Sequence, residues 1–78
     1  MPVSAYDRAN IKSILDGEGD WYTSHVLRFL DKVLFKADNE NFRVLWEAFP
    51  KESLLIYSFY GWTDERIAER LSNAHYNV

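Results

Sequence analysis

The chain contains no cysteine, and its 78 residues include one methionine, two prolines, three glycines and two histidines. Without cysteine there is neither a disulfide staple nor a thiolate for zinc or redox chemistry, and a reducing compartment is allowed. No run approaches the roughly 18 apolar residues that a membrane span requires, and the opening MPVSAYDRAN has no apolar signal region. The expectation is a soluble cytoplasmic protein with no membrane contact. Basic residues are few: nine Lys and Arg stand against twelve Asp and Glu, for a net charge of −3, with the signs interspersed. No cationic cluster is present to release counterions from a phosphate backbone, so direct nucleic-acid binding is not expected. What the chain has in quantity is apolar surface, with 47% hydrophobic and 17% aromatic residues. One domain over residues 1–78 buries only about 60–65% of its unfolded surface at this size. Its core must therefore be rich.

Punctuation along the chain predicts an all-α fold, a compact bundle of four to five short helices. Ser4, with Asp7 three residues on, starts a first helix over about Ala5 to Asp16, which buries Ile11, Ile14 and Leu15 and ends at Gly17. A second runs from Trp21 to about Lys36. Its inner face repeats Tyr22, Val26, Phe29, Leu30 and Val33 at the 3.6-residue period, widened by Leu27 and Leu34. Asp38 caps a third helix with the stripe Phe42, Leu45, Trp46 and Phe49, which ends at Pro50. Trp46 and Phe49 are expected to be largely buried. The segment from Lys51 to Tyr60 has the β-branched and aromatic content of a strand, but no second strand-like run exists to pair with it, so it reads as a helix. Because it is apolar all round, it belongs in the middle of the bundle, with Phe49, Tyr57, Phe59 and Tyr60 building the aromatic core. Gly61 ends it. Thr63 caps a last helix with Ile67, Leu71 and Ala74 inside, and Trp62 lies at staple spacing from Ile67.

The stretch DGEGD, residues 16–20, places acids at alternate positions, as a calcium loop does. Counted from Asp16, however, the sixth position is Trp21 where an EF-hand needs glycine, and the twelfth is Leu27 where it needs a bidentate glutamate. The stretch is a connector: Gly17 closes one helix in the left-handed region and Asp20 caps the next. No metal site is expected elsewhere, since His25 and His75 lie in different elements without metal-ligand spacing. Ser24 and His25 are adjacent on a helix and point about 100° apart, so they do not form a nucleophile–base pair. Glu40, Arg43 and Glu47 have the spacing of an intrahelical salt-bridge network. There is no glycine-rich phosphate loop. No catalytic residue, cofactor or metal is expected, and the chain reads as a non-enzyme.

The runs Gly17-Glu-Gly-Asp-Trp-Tyr-Thr23, Leu27-Arg28, Lys36-Ala-Asp-Asn-Glu-Asn41 and Ala48-Phe-Pro50 resemble a pattern of small uncharacterised tailed-phage and prophage accessory proteins, approximately GxGDW(F/Y)T, LLR, KADxEN and AFP. The likeness covers roughly the middle half of the chain. The step from Leu27-Arg28 to Lys36-Ala37-Asp38 is longer here by about one helical turn, which nearly preserves the helix face. The resemblance implies a phage accessory protein acting in the cytoplasm of a bacterial host, and it carries no activity.

Binding is the function class left by these exclusions. Trp21, Arg28 and Phe35 recur every seven residues and line up roughly opposite Val26 and Val33. Two aromatics flanking an arginine have the composition of an interaction hot spot. The other reading is that further helices cover this side. With Lys32 beside them, these three residues form the candidate partner-binding set. The leading expectation is stoichiometric binding to a host protein, inhibiting or redirecting it, with anti-defence roles of the anti-CRISPR type included. One rival is a nucleotide-sequestering binder, in which Trp21 or Tyr22 stacks on a base and Arg28 or Lys32 pairs with phosphate. Another is a virion or assembly component acting through self-association, in which a homodimer uses the same line.

Overall fold

The computed structural model describes residues 4–76, with side chains through residue 74; His75 therefore lies outside the described side chains. Six helices and no strand occur among these residues: α1 (Ala5–Ala9), α2 (Ile11–Leu15), α3 (Tyr22–Val33), α4 (Asn39–Ala48), α5 (Pro50–Phe59) and α6 (Asp64–Tyr76). The all-α bundle is as expected. The extra helix arises at Asn10, where the predicted first helix breaks. Its backbone leaves the helical region (φ −116°, ψ 16°), and its side-chain amide bonds back to the Tyr6 carbonyl at 2.9 Å, which closes α1. The Asn10 carbonyl then accepts from Ile14 at 2.9 Å and restarts the chain as α2.

Local capping follows the chemistry of the side chains. Ser4 and Asp7 form a reciprocal capping box, with both bonds at 3.1 Å. Asp38 accepts from the Asn41 N–H at 2.9 Å, and Thr63 from the Arg66 N–H at 3.2 Å. Asp20 departs from expectation. The N-cap of α3 is Trp21, no side chain caps that end, and the Asp20 carboxylate is exposed at 3.4 Å from His25 Nε2. Pro50 begins α5 at its first position, where the missing N–H costs nothing, and Phe49 (φ −136°, ψ 64°) makes the corner from α4.

Helix α3 packs against α2 and α5, while α4 packs against α5 and α6. The core gathers Ile11, Ile14, Val26, Leu27, Leu30, Leu34, Phe42, Ile56, Tyr57, Ile67 and Ala74. Leu27, Leu30 and Leu34 have no exposed surface, and each such burial is favourable by about 1.5–3 kcal/mol. The buried face of α3 is thus rotated from the predicted one toward Leu27 and Leu34, leaving Tyr22 and Phe29 61% and 51% exposed. Apolar residues cover so much of this helix that their period alone does not select an inner arc.

The predicted central position of the fourth segment is also corrected. Helix α5 buries Glu52, Ser53, Ile56 and Tyr57 on one side, while Leu54, Phe59 and Tyr60 are exposed. Only Tyr57 of the four predicted core aromatics is fully buried. Its ring meets Phe42, Trp46 and Trp62 at centroid distances of 5.9, 6.0 and 4.6 Å. Trp46 and Phe49 are half-buried at the margin of this cluster. Arg70 of α6 stacks over Phe42 at 4.1 Å, donates to the Tyr57 hydroxyl, and donates to the Ala37 carbonyl at 2.8 Å. It ties α6 to the start of α4 and to α5. Burial raises the Tyr57 phenol above its usual pKa and outweighs the lowering effect of Arg70. Among the described residues no ion pair joins Arg43 to Glu40 or Glu47, so the predicted network does not form.

Candidate protein-binding surface

The second half of α3 carries two stripes, of which only the first is apolar throughout. One faces the core. The other consists of Phe29, Lys32, Val33 and Lys36, spaced i, i+3, i+4 and i+7, and so on one side of the helix and the turn that follows it. Asn41, Val44 and Leu45 of α4 repeat the first three of those spacings. Where the two stripes meet they enclose an open groove of about 370 Å³, completed by Ala37. Half-buried Val33, Ala37 and Leu45 form its floor. Phe29 and Val44, 51% and 55% exposed, stand as walls, and Lys32, Lys36 and Asn41 supply the polar edge. Exposed apolar walls over an apolar floor with a few polar groups at the rim are the composition of a recognition site.

The four sequence-predicted binding residues do not form one surface. Trp21 is 44% exposed and lies at the start of α3, its ring edge-on to Tyr6 at 5.3 Å. Phe35, at the far end, belongs to the aromatic cluster, with centroids 4.5 Å from Tyr57, 5.3 Å from Tyr60 and 6.1 Å from Trp62. Arg28 between them is half-buried. One of its terminal nitrogens donates to the carbonyls of Ile14 (3.2 Å) and Glu18 (2.6 Å), the other to that of Gly19 (3.1 Å). Lys32 alone joins the groove. The 3.6-residue period places Phe29 and Val33 in the core and does not single out Val44. Their signal in the sequence is the second i, i+3, i+4, i+7 stripe, hidden behind the first.

Arg28 also answers what holds the DGEGD connector. The loop turns its backbone carbonyls inward, and a guanidinium occupies the position where they converge. Gly17 (φ +115°) and Gly19 (φ +83°) provide the left-handed turns. A Cβ at Gly19 would lie 2.5 Å from the Ser24 hydroxyl oxygen, so the loop also lies close against α3 there. The acidic side chains of Asp16, Glu18 and Asp20 point into solvent, and among the described residues no cluster of three or more such groups is arranged to hold a metal. Gly17, Gly19, Arg28, Asp38 and Pro50, which carry much of the phage-like pattern, therefore have structural jobs. One turn further along α3, the Tyr60 hydroxyl donates to Asp31 at 2.5 Å; that bond, with burial second, raises the Tyr60 phenol above its ordinary pKa.

Comparison of the chain with protein-family models, characterised proteins and solved structures returned no match. No helix among the described residues is long and apolar enough to cross a membrane.

Proposed function

We propose that this chain is a phage- or prophage-encoded accessory protein that binds a bacterial host protein stoichiometrically and inhibits or redirects it, anti-defence roles of the anti-CRISPR type included, and that the α3–α4 groove is its contact site. The observation that carries the reading is the pair Phe29 and Val44, both more than half exposed across a groove with an apolar floor. A small domain gains no stability from leaving such side chains in water, whereas an interface covers them. The phage setting draws its support from the resemblance in the GEGDWYT, KADNEN and AFP runs. The geometry favours a protein partner over a nucleotide: Arg28 already donates to three carbonyls, and Lys32, the other candidate for phosphate, lies about 15 Å of helix from the Trp21 and Tyr22 rings that would stack on the base.

Affinity capture from host lysate with wild type and Val44→Asp tests this directly. Val44 is exposed, so the substitution changes stability by no more than about 0.5 kcal/mol, which thermal denaturation verifies. The expected result is a host protein retained at near-equal molar amount by wild type and lost by the variant. Retention of the same protein in the same amount by a folded Val44→Asp overturns the groove as the contact site.

A further inference from the structure

We infer that the occupant of the α3–α4 groove is an acidic amphipathic helix of the partner protein; this rests on the reading of that groove as the contact site. Three properties of the groove specify the occupant. First, both walls are helical and the described residues contain no strand, so no sheet edge is offered for strand addition, and the matching mode is a helix laid into a groove. Second, Phe29 to Lys36 is seven residue steps, along the end of α3 and the turn after it, or about 10 Å at helical rise, which is close to two turns of a partner helix and fits apolar anchors at i, i+3 or i+4, and i+7.

Third, charge selects the sign of the flanks. The protein as a whole is acidic at −3, yet Lys32 and Lys36 are the two charged residues among the eight that line the groove. Neither is in an ion pair among the described residues. The nearest acids along the chain are engaged elsewhere, Asp31 with the Tyr60 hydroxyl and Asp38 with the Asn41 N–H. Two ammonium groups without an ion-pair contact at the rim of an apolar groove favour carboxylates beside the partner's apolar anchors and disfavour a basic helix of the same shape. They are too few, and the groove too apolar, for a nucleic-acid backbone.

The test uses two synthetic peptides of about 16 residues, long enough to form helix in solution. Both carry the same leucine stripe; one is flanked throughout by Glu and its twin by Lys. Each is titrated into the whole protein while backbone amide NMR shifts are followed. The Glu-flanked peptide is expected to produce saturable shifts at Phe29 to Lys36 and around Val44, and to bind at least about ten-fold more tightly than its twin, the effect of two rim ion pairs replacing two repulsions. The doubly substituted protein Lys32→Glu, Lys36→Glu, altered only at exposed positions, should reverse that preference. Equal binding of the twins, tighter binding of the Lys twin, saturable shifts elsewhere, or no binding of the Glu peptide each overturn the acidic helix as occupant. Failure of the underlying reading is separately visible, because it appears as host-protein capture that survives Val44→Asp whatever the peptides do.

Discussion

The connector after α2 and the connector after α5 close their helices with the same two backbone bonds and are then anchored by opposite means. After α2, Gly17 N–H bonds to Ile14 and Glu18 N–H to Ser13, at 3.1 and 2.9 Å; after α5, Gly61 N–H bonds to Ser58 and Trp62 N–H to Tyr57, both at 3.0 Å. Each is a Schellman ending with glycine at the left-handed position. The first is then held from α3 by the forked guanidinium of Arg28, which binds backbone carbonyls. The second is held by ring contact between Tyr57 and Trp62, the apolar pair that accompanies such an ending, with Phe35 against both. A polar clamp requires one residue with the right donors, whereas an aromatic clamp is shared among several rings and merges with the core. Damage should therefore be local at the first connector and global at the second.

The sharpest way to break the comparison is at the aromatic end. Tyr57→Ala removes a fully buried ring touched by Phe35, Phe42, Trp46 and Trp62, and should lower unfolding free energy by about 3–5 kcal/mol, a large share of what a domain this small possesses. Urea denaturation followed by circular dichroism reads this; a midpoint near that of wild type would show that the rings do not act as one core.

Arg28 is next in size. Arg28→Ala should destabilise by about 1.5–3 kcal/mol through the loss of charge-assisted bonds to three carbonyls, and Arg28→Glu by more, since it sets a carboxylate against those oxygens. Arg28→Lys keeps the charge but not the fork, and should recover only part of the loss. Full stability in Arg28→Lys would mean that charge alone, without geometry, holds the loop.

The glycines give a smaller contrast. Gly61→Ala meets nothing within 4 Å and incurs only the backbone penalty of φ +83°, about 1–2 kcal/mol. Gly19→Ala has the same φ and in addition a contact of 2.5 Å with Ser24, so its melting temperature should fall further. Equal melting temperatures for the two variants would show that the loop moves off α3 freely. The smallest expected effect is Asp20→Ala, within about 0.5 kcal/mol, because the carboxylate is exposed and caps nothing. A loss of a full kcal/mol in thermal denaturation would restore it as a cap.

Much of this architecture is legible in the sequence. Ser4, Asp38, Thr63, Gly17, Gly61 and Pro50 mark helix ends through interactions that span three to five residues, and such interactions are written wherever the residues occur. Asp20 shows the limit: its type suits a cap, but the tight turn at Gly19 brings the chain in so that Trp21 begins the helix. The candidate site was less legible still. The sequence marks Lys32 beside the line of Trp21, Arg28 and Phe35 but does not mark Phe29, Val33 and Val44, because an apolar residue on a helix looks the same whether it lines a core or a groove.

Helix content, most helix ends and the mismatch of DGEGD with a calcium-type ligand set are properties of short stretches, and the order of residues by itself determined them, since each depends on neighbours a turn away; the break at Asn10 and the start of α3 at Trp21 are the exceptions. Which arc of α3 is inside, which rings of α5 are covered, and the partners of Arg28 and Arg70 depend on groups 9 to 33 residues distant. Those were decided only when the helices packed. A broadly apolar helix has several nearly equivalent faces to bury, and the choice among them belongs to the neighbours that occupy the space.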